Sequence, residues 1–217
     1  MKRTIQYLEN LKEQGYQKHE LLFELYNKWR TELDIETLIS FLKEIDEDKR
    51  NLKSNYIGEN TYSNFRGIAF EEYCFIQLER IIKETNSQKI IDLFWNENIK
   101  TEEYLYYDGK EFKTFPKYKR IDLTIGKKQK ELIHPLIIIS CKVWQSINWL
   151  DEDKNILDKI RNRYPGVTGY SLCLSLSISP IYLLSVQRSG LQVFNFSNKF
   201  QLDQFIKEVT EFLTNIK

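Results

Sequence analysis

Apolar positions recur at helical spacing through the first fifty residues: Ile5, Leu8 and Leu11, then Leu21, Leu22, Leu25 and Trp29, then Leu38, Phe41, Leu42 and Ile45. That spacing lays one apolar stripe on each segment and predicts two or three successive amphipathic helices. Asp34 ahead of Ile35 suits a helix N-cap, and the charged stretch from Glu44 to Arg50 reads as a solvated end or connection. A polar segment from Asn51 to Asn64 leads into Gly67 to Leu78, a run with no breaker before Thr85-Asn86-Ser87. It predicts a long, well-buried helix.

The pattern then changes period. Ile90 to Trp95 and Tyr104 to Tyr107 suit two short strands. Arg120 to Ile125 ends at Gly126, and a charged loop carries the chain to Pro135. Leu136 to Trp144 is a near-continuous apolar run of the kind that forms a central strand covered on both faces, adjacent in one hairpin to the strand before it. A helix is expected from about Asp151 to Arg163, stopped by Pro165-Gly166. Ser171 to Ser179 alternates strictly and predicts a strand, and Ile181 to Val186 and Leu191 to Phe196 add two more. Phe205, Ile206, Val209, Phe212, Leu213 and Ile216 give a final helix its apolar face. The sum is an α/β chain with a mixed central β-sheet flanked by helices. It reads as one domain over 1–217, with a helical N-terminal part at 1–50, a core at 64–196 and a C-terminal helix at 201–217.

Composition narrows the class. Thirteen Tyr, thirteen Phe and four Trp among 217 residues need a core or a binding surface, which argues against disorder. Three cysteines, Cys74, Cys141 and Cys173, are an odd number in a chain whose start shows no signal peptide, so the expected compartment is the cytoplasm. No apolar run approaches the roughly 18 residues of a membrane span. Net charge is only +1, but it is uneven. From Lys110 to Lys130 eight Lys and Arg residues face only Glu111 and Asp122, either a solvated hairpin edge or a phosphate-facing patch.

Two charges stand where charge is costly. Asp122 lies inside an apolar strand and Lys142 at the end of the next, and each needs compensation to leave water. They can form a buried pair, or share an anionic ligand and a metal. Alternation puts Ser140 on the face of Lys142 and turns Cys141 the other way, as a small core residue. Magnesium held by carboxylates beside a lysine is a suitable arrangement for hydrolysing a phosphodiester, because it stabilises charge on the phosphate and activates a water.

An Asp on one strand followed by an apolar strand ending in x-x-Lys resembles the core of the PD-(D/E)XK nucleases, many of which carry a preceding helix with Gly-x-x-Phe-Glu. Here the pieces are Gly67-Ile68-Ala69-Phe70-Glu71, Arg120-Ile121-Asp122 and Ile139-Ser140-Cys141-Lys142, in the family's order. Two positions depart from the pattern. Ile121 replaces the proline, and Ser140 replaces the second acidic residue, leaving one magnesium ligand fewer. A branch of type II restriction endonucleases that recognise a core CCGG shows a similar Ser-Cys-Lys and recovers a carboxylate from the following helix. That branch's helix ends much like Ile160-Arg161-Asn162-Arg163 here. The resemblance implies a restriction-endonuclease-like fold and a magnesium-dependent, homodimeric enzyme that hydrolyses double-stranded DNA at a specific sequence. It implies Asp122 and Glu71 as metal ligands, Lys142 beside the attacking water with Ser140 in the motif, and Glu152, ahead of Asp153, as the replacement carboxylate.

Candidate DNA contacts are Lys119, Arg120, Arg161 and Arg163 for phosphate, and Gln145 and Asn148, in the segment from Trp144 to Trp149, for base edges. Each has a plainer reading, as helix-end cations or as a polar loop pinned by two tryptophans. A structure-specific or repair nuclease of the same fold stays open, as does an inactive DNA-binding or interaction module in which Asp122 and Lys142 form a structural pair. His19 and His134 are too few and too far apart in sequence for a zinc site, and no P-loop or Cys-x-x-Cys occurs.

Overall fold

The computed structural model describes residues 3–216; Met1 and Lys2 of the expected N-terminal part and Lys217 of the expected last helix lie outside the described residues. Three helices come first: α1 (Thr4–Glu13), α2 (His19–Glu32) and α3 (Ile35–Glu47). Asp34 caps α3 by accepting a hydrogen bond from the Thr37 amide at 2.9 Å. Their apolar stripes, with Leu8, Leu22, Trp29 and Phe41 fully buried, pack on α5 (Gly58–Glu84). Buried Glu72 of α5 ties the layers together, accepting from the Thr4 amide at 3.0 Å and the Tyr26 hydroxyl at 3.1 Å.

The polar segment expected before the long helix is itself helical. α4 (Lys49–Asn51) runs into a π-helical stretch over Leu52–Ile57 before α5 begins. Leu52 and Ile57, five residues apart, are both buried. A π-turn brings positions i and i+5 to one side of the helix, which accounts for the departure from α geometry.

The sheet has the order β1 (Asp92–Tyr107), β2 (Phe112–Gln129), β3 (Leu132–Lys142), β4 (Thr168–Cys173), β5 (Leu191–Asn195). The first three strands are antiparallel neighbours and the last two run parallel to β3. α6 (Ile147–Arg163) crosses from β3 to β4, α7 (Pro180–Arg188) from β4 to β5, and α8 (Lys199–Thr214) closes the described chain. One face of the sheet, through Ile137, Ile139, Cys141 and Leu172, shares a core with α5, α8 and the N-terminal helices; the other, through Ile138 and Val193, packs on Leu150, Leu157 and Ile160 of α6. This is the mixed α/β architecture, with a helical N-terminal part, that the nuclease resemblance implies.

Several elements differ from their expected form. The two short strands at 90–107 are one long strand, kinked where Thr101 is an extra residue opposite β2. The charged loop before Pro135 is paired strand on both sides, turning at Lys130-Glu131. Gly126 lets β3 approach there, since a Cβ would stand 2.3 Å from the His134 carbonyl oxygen. The alternating run at 171–179 leaves the sheet after Cys173: Leu172 and Leu174 join one core and Leu176 and Ile178 the other, so its alternation serves two layers. The strand expected at 181–186 is α7, because Ser179 caps Tyr182 and Pro180 occupies the first turn. α6 starts four residues earlier than expected, with Leu150 buried in its first turn. No helix among the described residues is long and apolar enough to cross a membrane.

Candidate active site

The pairing of β2 with β3 stops at Leu123 and Ile139, so the strands part at Asp122 and Ser140. On the other side β1 is interrupted at Asn96, the residue opposite Asp122, which adopts a left-handed conformation with φ 57°. Alternation along β2 breaks at the same point, since Ile121 belongs to the core under α6 and Leu123 to the core under α5. A left-handed non-glycine residue inside a strand is strained, and here its side chain is put to use.

Around that break the charged side chains converge. Asp122 Oδ2 accepts hydrogen bonds from the Cys141 amide at 2.8 Å and from Lys142 Nζ at 3.1 Å. Glu71, on the face of α5 turned to the sheet, accepts from Trp95 Nε1 at 2.9 Å and Asn96 Nδ2 at 2.7 Å. Asn96 in turn accepts from Arg120 Nε at 2.8 Å. Asp153 of α6 is buried: its Oδ2 accepts from Ser171 Oγ at 2.8 Å and Gln145 Nε2 at 3.1 Å, and the Ser140 hydroxyl is also hydrogen-bonded to it.

Electrostatics bind these groups into one unit. Burial pushes the Glu71 carboxyl above the ordinary range and repulsion from Asp122 adds to this, against the hydrogen bonds from Trp95 and Asn96 and the charge of Lys142. Burial likewise raises Asp153, opposed by Lys142, Ser171 and Ser140. For Lys142 burial disfavours the charged form, but Asp122 and Asp153 outweigh it and hold the ammonium above its usual value. A lysine so held is a fixed cation at neutral pH, suited to stabilising negative charge and orienting a water.

Two cavities meet at this cluster. One of about 140 Å³ lies between β2, β3 and α6, lined by Asp122, Ser140, Lys142, Glu152 and Asp153. The other, about 580 Å³, opens toward α5 and is lined by Glu71, Arg120, Lys142, Trp144 and Trp149. Among the described residues no group of three or more His, Cys, Asp and Glu is gathered into a self-sufficient metal cage. Magnesium does not need one, since it commonly takes one or two carboxylates and fills its shell with water and substrate phosphate. Asp122 and Asp153, one on each wall of the smaller cavity, fit that donor set, and a cation there would offset the cost of burying them.

The sequence-derived residues separate into those at the cleft and those away from it. Asp122, Lys142, Glu71, Ser140 and Arg120 come together. Glu152 stands at the cavity rim, its carboxylate 3.8 Å from Lys119 Nζ, while Asp153 occupies the interior position. Asp153 falls in register with buried Leu150, Leu157 and Ile160, and that periodicity is the signal that singles it out. Asn148 is exposed on α6, in a separate shallow recess with Lys119 and Asn155. Gln145 is fully buried, its amide spent on Asp153 and Ser171, so it is not available to a base edge in this arrangement. Arg161 holds the carbonyls of Val167, Ser189 and Gly190 at 2.8, 3.2 and 3.1 Å, and Arg163 meets Glu103 at 3.7 Å. These contacts tie both side chains to the fold, and the Arg161 guanidinium satisfies three carbonyls at once. Part of the basic run is matched by acids, with Lys113 beside Asp108 and Glu111, and Lys117 at 3.6 Å from Glu102.

No family model and no curated protein sequence matches the chain. Among solved structures it is similar to protein VC1899 from Vibrio cholerae, with 16% identity and a TM-score of 0.43 over 97% of this chain and 54% of that one. It is also similar to the native BbvCI A2B2 tetramer, with 13% identity and a TM-score of 0.32 over 82% of this chain and 76% of that one. The chain thus spans about half the length of VC1899. Likenesses at this level leave the chemistry to be argued from the side chains.

Proposed function

We propose that the chain is a magnesium-dependent endonuclease acting on double-stranded DNA, of the type II restriction class, working as a homodimer so that two sites cut the two strands. The observation that carries the reading is the convergence of Asp122, Lys142 and Asp153 on one cavity at the point where β2 and β3 part. Magnesium, when bound between Asp122 and Asp153, would polarise the phosphate and acidify a water. The protein's own residues supply the rest. Lys142 sets a positive charge beside the incoming phosphate, Ser140 and Ser171 hold Asp153 in place, and Glu71 with Asn96 fixes the Arg120 side of the cleft.

Incubation of the protein with phage and plasmid DNA tests this directly. Discrete fragments are expected with magnesium and none with chelator, and Lys142→Ala should slow cleavage by at least about 100-fold, the scale of losing one charge-stabilising group. Intact DNA under all conditions would sink the hydrolytic reading. The specific observation favouring the second reading, an inactive DNA-binding module, is Ser140 in an acidic position, which leaves Asp122 and Lys142 as an ion pair at 3.1 Å. In that case magnesium leaves the melting temperature of the wild type unchanged, whereas a metal site raises it by mass action and loses the effect in Asp122→Asn.

A further inference from the structure

The larger cavity holds groups that phosphodiester hydrolysis does not use. Its volume of about 580 Å³ falls in the roughly 300–1,000 Å³ range of small-ligand sites. One wall is Trp144 and Trp149, which are 49% and 40% exposed and whose rings meet edge to face at 5.5 Å. The same cavity is lined on α5 by Ser63, Asn64 and Gly67. Neither the Ser63 nor the Asn64 side chain is hydrogen-bonded among the described residues. A Cβ at Gly67 would meet nothing within 4 Å, so the wall is open there. The floor is Glu71, Arg120 and Lys142, continuous with the cluster around Asp122.

An indole face left in water is apolar area without a partner, and two such rings at the mouth of a polar cavity mark a binding surface. The chemistry that satisfies both walls is a flat aromatic ring with donors and acceptors along its edge. A nucleobase stacks on indole irrespective of its identity. The Asn64 amide offers a donor and an acceptor to the same edge. A phosphate or a metal ion would leave the rings unused.

Resting on the nuclease reading, we infer that this cavity takes one base of the DNA, turned out of the stack beside the phosphate held at Asp122 and Lys142, with its face on Trp144 and its edge on Asn64 and Ser63. Trp149, Arg120 and Lys142 line both cavities, which places the base next to the reacting phosphate.

The test compares binding of a fluorescein-labelled thymidine oligonucleotide with an abasic strand of equal length, without divalent metal, by anisotropy and by quenching of indole fluorescence. The base-bearing strand should bind roughly 5- to 100-fold more tightly, the scale of one stacked base. Trp144→Ala should erase that difference, Trp144→Phe should retain most of it, and Asn64→Ala should reduce it. Both positions line an open surface, and matching thermal melts of the three variants would show the fold intact. Equal binding of the two strands by the wild type, or an undiminished preference in Trp144→Ala, overturns the pocket even if plasmid is cut. A preference abolished by Trp144→Ala, with plasmid left intact in magnesium, upholds the pocket and removes the hydrolytic reading instead.

Discussion

Glu71 and Asp153 are carboxyls that the fold pushes toward their neutral forms, and both face Lys142 across the cleft. A carboxyl raised above its unfolded value adds stability that is complete below that value and is lost as pH rises through the folded one. Above that folded value the ionised groups therefore weigh against folding, a cost that the cation of the proposed function would offset. Glu71→Gln and Asp153→Asn should each melt higher than the wild type at pH 8, with the gap narrowing toward pH 5, while cleavage is lost. A thermal melt series across that range checks the sign, and a gap that widens toward acid would refute it. At this scale the sequence is legible where a residue breaks its context. Asp122 and Lys142 stand out as charges in apolar strands, and Asp153 is marked by the helical register of Leu150, Leu157 and Ile160. Gln145 and Arg161 are not legible, because their partners, Ser171 and the carbonyls of Ser189 and Gly190, come from segments distant in sequence.

Among the elements, the β1–β2 hairpin is the least supported by the rest of the fold. Beyond Tyr118 it pairs only with itself, and Leu105 and Phe112 are 66% and 69% exposed. Removing an apolar group there costs little, because no burial is lost. Leu105→Ser should change stability by no more than about 0.5 kcal/mol, whereas Leu157→Ala, which empties a fully buried position between α6 and the sheet, should cost about 2–5 kcal/mol. Denaturant titration of the two variants distinguishes these outcomes. The apolar residues at 181–186 fit the period of a strand or of a helix, and the Ser179 cap with Pro180 decides for a helix. The alternation suggests two short strands at 90–107 because an extra residue at Thr101 interrupts it without ending the strand.

For the molecule as a whole, one continuous core runs from Leu8 and Trp29 of the N-terminal helices through Phe65 and Phe70 of α5 to Ile139 of the sheet and Phe205 of α8. Such continuity should make unfolding a single cooperative event, with tryptophan fluorescence and circular dichroism following the same transition; two separated midpoints would show that the helical part folds on its own. The sequence by itself determined the helical N-terminal part, the long helix bearing Glu71, the adjacent strands of Asp122 and Lys142, and the final helix. These rest on periodicity, capping and the cost of charge in an apolar strand, all of which are local. Only the tertiary structure decided that β2 and β3 part at Asp122, that Asn96 turns out of its strand to meet Glu71, and that Asp153 lies inside the cleft with Glu152 at its rim. Those outcomes depend on side chains from five separate elements competing for the same buried space, and no single stretch of sequence contains that competition.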